Sequence, residues 1–135
     1  MLKTILIILI LTSISVDASK YAIVVNKHSD ITTLTAKQVK DIFLLKRHFI
    51  HDTRMIPVNT SSTNILRKTF EHEILKINRD RLNQYWIKKH FHGISPPLTQ
   101  SSDTSMKLFI KKVHGSIGYL PISKIDKDLK VVYEF

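Results

Sequence analysis

A run of short polar side chains separates an apolar segment from a helical pattern, at Thr60-Ser61-Ser62-Thr63-Asn64. The first turn of a helix leaves backbone N–H groups without intrahelical acceptors, and the helix dipole places partial positive charge there. Hydroxyl and amide side chains at this point, followed by a cation at Arg67, predict a site for a small oxyanion. We call residues 60–67 the polar loop.

Two other loops are expected to contribute to this site. Asn26 follows the first apolar segment of the mature chain, and Ser101 and Ser102 precede a later helical pattern. Ligands of open α/β sheets bind beyond the carboxyl ends of the strands. We therefore expect these three side chains to converge on the polar loop.

The same residues have a purely structural interpretation. Ser, Thr and Asn are the commonest N-caps whether or not a ligand binds, so residues 61–64 fit capping alone as well as capping plus a ligand. Arg67 precedes Glu71 by four positions, and that spacing favours an ion pair on one helix face. Both interpretations remain open at the level of sequence.

No other pattern points to a reaction or a cofactor. Seven histidines and no cysteine are present, and the spacing of His48 and His51 or of His90 and His92 is not diagnostic of a metal site. A Gly-x-Ser-x-Gly elbow and a His-Glu-x-x-His motif are both missing from the sequence. We expect no catalytic residue, no metal site and no cofactor.

The elements that must position the polar loop alternate along the chain. Strands are predicted at 21–25, 55–58, 117–120 and 131–133. Helices are predicted after a capping box at Thr35–Gln38, from about 64 to 75, after Asn78 or Asp80, and after residues 101–103. Residues 46–54 and 90–99 are expected to be loops, and Gly115 to be a left-handed helix cap. Continuous apolar strands are typical of parallel sheets, so the pattern predicts one α/β domain.

The N-terminus and the charge narrow the compartment and the partners. Residues 1–18 combine Lys3, an apolar stretch and small residues around Ala18, which predicts a cleaved signal peptide; an uncleaved anchor is the alternative. Residues 19–135 would then form one periplasmic or secreted domain. The net charge of +10 favours anionic partners, although a basic solvated surface has the same composition.

Three motifs follow one another along the chain. They are Asn26 with Leu34-Thr35-x-x-Gln38-x-x-Asp41-Ile42-Phe43, the strand-to-helix segment Pro57–Phe70, and Gly-Ser-Ile-Gly-Tyr at residues 115–119. In this order they resemble the "V-N…L-T-x-x-Q-x-x-D-I-F" segment, the ligand loop and the "G-A-I-G-Y" of phosphate-type periplasmic substrate-binding proteins, the PstS-like family. The resemblance implies a single three-layer lobe of the type 2 periplasmic-binding fold, with a mostly parallel sheet flanked by helices.

The resemblance also implies a function. It predicts an exported, non-enzymatic solute-binding protein of an ABC-type importer that binds phosphate or a similar oxyanion, with an ABC permease as partner and a homodimer as one arrangement. The alternative is an exported interaction module that keeps the lobe fold and binds a polyanion or membrane partner through the basic residues 46–54. We expect no nucleic-acid partner, because the chain is predicted to be exported and lacks interleaved exposed aromatics.

Overall fold

The computed structural model describes residues 19–135, so the predicted signal peptide at 1–18 lies outside the described residues. In chain order the elements are β1 (Tyr21–Asn26), α1 (Ala36–Phe43), β2 (Phe49–Ile50), β3 (Thr53–Arg54), β4 (Ile56–Thr60), α2 (Ile65–Phe70), a π-helical segment (Glu71–Leu75), α3 (Arg79–His90), β5 (Leu98–Gln100), α4 (Asp103–Lys112), β6 (Ser116–Pro121), a 3-10 turn (Ile122–Lys124) and β7 (Leu129–Glu134). Within the described residues no helix has the length and apolar character needed to cross a membrane.

A five-stranded sheet in the order β5-β4-β6-β1-β7 forms the centre of the molecule. β4 pairs in parallel with both β5 and β6, whereas β1 pairs antiparallel with both β6 and β7. It follows that β4, β5, β6 and β7 run in one direction and β1 runs against them. The predicted α/β lobe with a mostly parallel sheet is confirmed.

The apolar run of β1 predicted a strand with parallel neighbours, but β1 is antiparallel to both of its neighbours. Residues Ala22–Val25 are buried, as predicted, because helices cover both faces of this strand. Burial on both faces produces a continuous apolar run whichever way the neighbouring strands point. The pattern therefore predicted the burial correctly and the pairing incorrectly.

Helices cover the sheet in two layers. On one face, α1, α2, the π-helical segment and α3 pack over an aromatic centre in which the Phe70 and Tyr119 rings stack with centroids 4.1 Å apart. On the other face, Met106 and Ile110 of α4 pack against Val24 and Val58. This three-layer arrangement buries the carboxyl end of β4, from which the polar loop starts, between two helical layers.

The predicted helix starts are confirmed by their caps. Thr35 and Gln38 form the capping box of α1, Asn78 caps α3, and Ser102 caps α4. Gly115 has the predicted positive φ of 79°, but α4 already ends at Lys112 with an extended C-cap. Gly115 therefore belongs to the turn that leads into β6.

Three local predictions are corrected. Residues 46–54 contain the short hairpin β2–β3, which turns through a left-handed His51, and residues 90–99 include the start of β5. The helix predicted from 64 to 75 has that extent but widens into a π-helical segment at Glu71. Ile65 at the start of α2 is 67% exposed, because it lies about 100° around the helix from the buried row that starts at Leu66.

Candidate functional site

The polar loop leaves the carboxyl end of β4 and turns directly into α2. The Asn64 side chain accepts a hydrogen bond from the Leu66 N–H at 2.9 Å, and the Asn64 N–H donates to the Ser61 carbonyl at 3.0 Å. The Ser61 and Thr63 hydroxyls lie 3.1 Å apart. Asn64 therefore acts as the helix cap, and the two hydroxyls lie together at the surface of the turn.

Two arginines hold the backbone of this turn through its carbonyl groups. Arg67 donates from Nη1 to the Thr60 carbonyl at 2.7 Å, and Arg79 donates from Nη2 to the Ser62 carbonyl at 3.2 Å. Both arginines also contact Glu71, at 2.9 Å from Arg67 Nε and 3.0 Å from Arg79 Nη2. The Glu71 side chain is only 6% exposed, so these two cations compensate its charge in a desolvated position.

This anchoring determines which way the peptide groups of the loop point. In a trans peptide the C=O and the N–H point in opposite directions. The Thr60 carbonyl shares its peptide group with the Ser61 N–H, and the Ser62 carbonyl with the Thr63 N–H. Because both carbonyls point toward the arginines, these two N–H groups point away from the arginines. Within residues 19–135 the N–H groups of Ser62 and Thr63 donate no hydrogen bond. The loop therefore offers backbone donors next to the paired hydroxyls, an arrangement suited to an anion.

A buried tyrosine fixes the end of β4 from the neighbouring strand. Tyr119 of β6 donates its hydroxyl to Asn59 Oδ1 at 3.0 Å and accepts from the Thr60 N–H at 3.2 Å. Burial raises the pKa of the Tyr119 hydroxyl, so it keeps its proton and can donate to Asn59. The Thr60 hydroxyl is also buried, and within the described residues it has no hydrogen-bond partner.

Ser101 and Ser102 follow β5, a strand that was not predicted from the sequence, and they precede α4 as predicted. β5 pairs in parallel with β4, and Gln100 lies opposite Thr60, so the loops after the two strands begin side by side. The Ser102 hydroxyl accepts from the Ser105 N–H at 3.0 Å and is engaged in capping α4. Ser101 is exposed beside it.

The structure does not bring Asn26 to the polar loop. β1 runs against β4 and β6, so its carboxyl end lies at the opposite edge of the sheet, near the start of β6. There Asn26 donates to the Lys111 carbonyl at 3.0 Å and caps the last turn of α4. The expectation that Asn26 would converge with the polar loop is wrong, because it assumed that all strands were parallel.

Metal-binding side chains do not cluster in the described part of the chain. Among residues 19–135 no group of three His, Asp or Glu side chains is placed to hold a metal ion. His92 instead contacts the Lys88 carbonyl at 2.9 Å through Nδ1.

Comparison with solved structures identifies the architecture. An ABC-type phosphate transport receptor from Vibrio cholerae superposes with a TM-score of 0.69 and 22% identity, over 84% of this chain and 45% of the receptor. A putative phosphate ABC transporter substrate-binding protein with bound phosphate from Clostridium perfringens superposes with a TM-score of 0.69 and 19% identity, over 84% of this chain and 44% of that protein. PstS from Borrelia burgdorferi superposes with a TM-score of 0.65 and 12% identity, over 84% of this chain and 46% of PstS.

The fold is that of one type 2 periplasmic-binding lobe. The chain spans less than half of the length of each of these three structures. No protein-family model matches the chain, and no curated protein matches it. The likeness establishes the architecture of the lobe and leaves its ligand to be argued from its own residues.

The polar loop of this lobe contains no glycine, and it does not need one. None of residues 60–67 has a positive φ, so the turn is built from backbone conformations that any L-residue adopts.

The sequence predicted that Arg67 contacts either a ligand or Glu71, and the structure shows the pair with Glu71. It missed Arg79 and Tyr119, which lie 17 and 59 residues from their loop partners and leave no periodic signal.

Proposed function

We propose that this chain binds phosphate or a similar oxyanion at the polar loop. The supporting observation is the anchoring of the Thr60 and Ser62 carbonyls by two arginines, which turns the N–H groups of Ser61 and Thr63 away from the arginines. Within the described residues the N–H groups of Ser62 and Thr63 donate no hydrogen bond. The hydroxyls of Ser61 and Thr63 add side-chain donors at the same place. Arg67 acts mainly by orienting the loop, and Ser101 and Ser102 border the site.

In this proposal the chain is an exported solute-binding lobe that passes its ligand to a membrane importer and catalyses no reaction. The Clostridium perfringens protein of the same fold has bound phosphate, and the Vibrio cholerae protein is a phosphate transport receptor. Both are much longer than this chain, so delivery to an importer, or pairing with a second copy, rests on the analogy of fold.

Titration calorimetry and amide NMR test the site directly. We expect heat with phosphate or sulfate and none with a neutral sugar, together with shifts of the Ser62 and Thr63 amide signals. Replacing Ser61 and Thr63 by Ala should weaken phosphate binding about thirtyfold, since each of the two hydrogen bonds contributes about 1 kcal/mol.

The matched control replaces two exposed threonines outside the loop, Thr32 and Thr33, by Ala. This control should bind like the unmodified protein. Absence of heat with every anion up to millimolar concentration, or shifts confined to amides outside the polar loop, would overturn the proposal.

A further inference from the structure

A groove with basic walls crosses the helical layer formed by α1, the π-helical segment and α3. It consists of three joined concavities of about 430, 480 and 390 Å³. Lys76 lines the first two, and Tyr85 and Lys88 line the second and the third, so the three form one continuous depression. We call this the basic groove; its cations are Lys37, Lys40, Lys46, Lys76, Arg81, Lys88 and Lys89.

Within the described residues, Lys37 pairs with a carboxylate and the other six cations of the groove do not. Asp41 is the acidic residue that lines the groove, and it pairs with Lys37. The hydrogen bond from Lys37 holds the pKa of Asp41 below its ordinary value, and the charges of Lys46 and Lys40 act in the same direction. Within residues 19–135 none of the six makes an ion pair.

Tyr85 gives the groove a fixed centre. Its hydroxyl donates to the Leu44 carbonyl at 2.5 Å, which ties α3 to the end of α1. The ammonium groups of Lys46 and Lys89 lie 6.0 and 5.5 Å from the centre of its ring. Cations from two different elements therefore lie near one aromatic ring, which limits their freedom before any partner binds.

The shape and charge select the class of partner. From Lys76 along the 12 residues of α3 the groove extends for about 18 Å at the rise of an α-helix, long enough for several charged units of a chain. A recessed line of cations suits a flexible chain better than a flat bilayer. Ile87 and Phe91, which are exposed on α3 and directly after it, do not line the groove, whereas Ile74, Ile77 and Ile94 line it beside the cations.

We propose that the basic groove binds a linear chain of phosphate groups, with successive phosphates contacting the lysines and Arg81. This surface is separate from the polar loop and does not depend on the proposed function. It also differs from the basic face predicted at residues 46–54, with which it shares Lys46 alone. Affinity should fall steeply with salt, because binding replaces counterions of the polyanion by protein cations.

Binding of labelled inorganic polyphosphate, followed by fluorescence anisotropy, tests the proposal with two charge-matched variants. One replaces Lys40, Lys76 and Arg81 by Gln, and the other replaces the exposed Lys112, Lys124 and Lys127, which lie outside the groove. Both remove the same charge, and circular dichroism checks that both are folded. At one salt concentration we expect the groove variant to lose about tenfold in polyphosphate affinity and the other variant to lose less than about twofold.

Four results would overturn the proposal. They are no binding of polyphosphate, an equal loss in both variants, binding to phosphatidylglycerol vesicles without binding to polyphosphate, and complete displacement of polyphosphate by millimolar orthophosphate. The last result, together with loss of binding on changing Ser61 and Thr63 to Ala, would place the polymer at the polar loop. Retention of polyphosphate binding by that polar-loop variant supports the groove even if the polar loop binds no anion.

Discussion

At the scale of single residues, Glu71 organises the polar loop without belonging to it. It accepts from Arg67 and Arg79, and each arginine also holds one loop carbonyl. A carboxylate with 6% exposure would be costly without these two partners. Its two oxygens are divided between the arginines, with Oε1 2.9 Å from Arg67 Nε and Oε2 3.0 Å from Arg79 Nη2.

Replacing Glu71 by Gln keeps the shape of the side chain and removes its charge. We expect the free energy of unfolding to fall by about 3 kcal/mol, because two arginines lose their buried counter-charge. Phosphate affinity should fall as well, since the Thr60 and Ser62 carbonyls lose their anchors. Urea unfolding and titration calorimetry measure the two effects separately.

The matched control is Glu73→Gln, two residues along the same segment. The Glu73 side chain is 55% exposed and lies 3.9 Å from His72, so its loss should change stability by less than about 0.5 kcal/mol. If Glu71→Gln lowers stability but leaves phosphate affinity unchanged, the arginine pair supports the fold and does not orient a binding site.

At the scale of elements, the approach of β6 to the β2–β3 hairpin depends on Gly115. Its φ is 79°, and a Cβ there would lie 2.1 Å from the Arg54 carbonyl oxygen. The next residue, Ser116, opens β6 and pairs with Ile56 of β4. A backbone contact this close means that a side chain cannot be accommodated by moving a flexible neighbour.

Gly115→Ala should therefore destabilise the protein strongly, and Gly93→Ala is its matched control. Gly93 has a similar φ of 74°, and a methyl group added there would meet nothing within 4 Å, so Ala should cost about 1 kcal/mol from the left-handed backbone alone. We expect Gly115→Ala to cost at least about 2 kcal/mol more, because the strand must shift. Thermal and urea unfolding of both variants check this, and equal losses would contradict it.

At the scale of the whole molecule, an ion-pair network joins the loop after β1 and the loop before β7 to α4. Lys111 of α4 contacts Asp126 at 3.1 Å and Asp128 at 3.3 Å, and Lys27, just after β1, contacts Asp128 at 3.0 Å. The pKa of Asp126 is lowered by the Asp128 N–H and by Lys111, and the pKa of Asp128 by Lys27 and Lys111. These carboxylates are solvated, so their effect should be modest and screened by salt.

The network predicts an acid-dependent loss of stability. A carboxyl whose pKa is lowered in the folded state stabilises the protein at pH above its unfolded-state pKa, near about 4. That contribution disappears as the pH falls through the lowered pKa values. Replacing Asp126 and Asp128 by Asn should flatten this part of the stability curve, measured by thermal unfolding from neutral to acidic pH.

The control replaces Asp30 and Asp52, which are exposed and make no ion pair within the described residues. This variant should keep the acid dependence of the unmodified protein. If both double variants lose it equally, general charge repulsion explains the effect, and the network does not.

The sequence by itself determined the features whose signals lie within about one helical turn. These are the capping box at Thr35, the short ranges that contain the caps Asn64, Asn78 and Ser102, the buried runs of β1 and β6, and the α/β class of the chain. Each depends on residues within four positions of one another or on the apolar character of one segment. A local pattern therefore contains the information needed to predict them.

Only the tertiary structure decided the direction of β1 and the partners of the polar loop. The apolar sequence of a buried strand does not indicate whether its neighbours are parallel or antiparallel. For that reason Asn26 was expected at the wrong edge of the sheet. The contacts of Tyr119 with Thr60 and of Arg79 with Ser62 join residues far apart in the chain. Such contacts form only when strands and helices pack, and for that reason the arginine pair and the basic groove were not visible in the sequence.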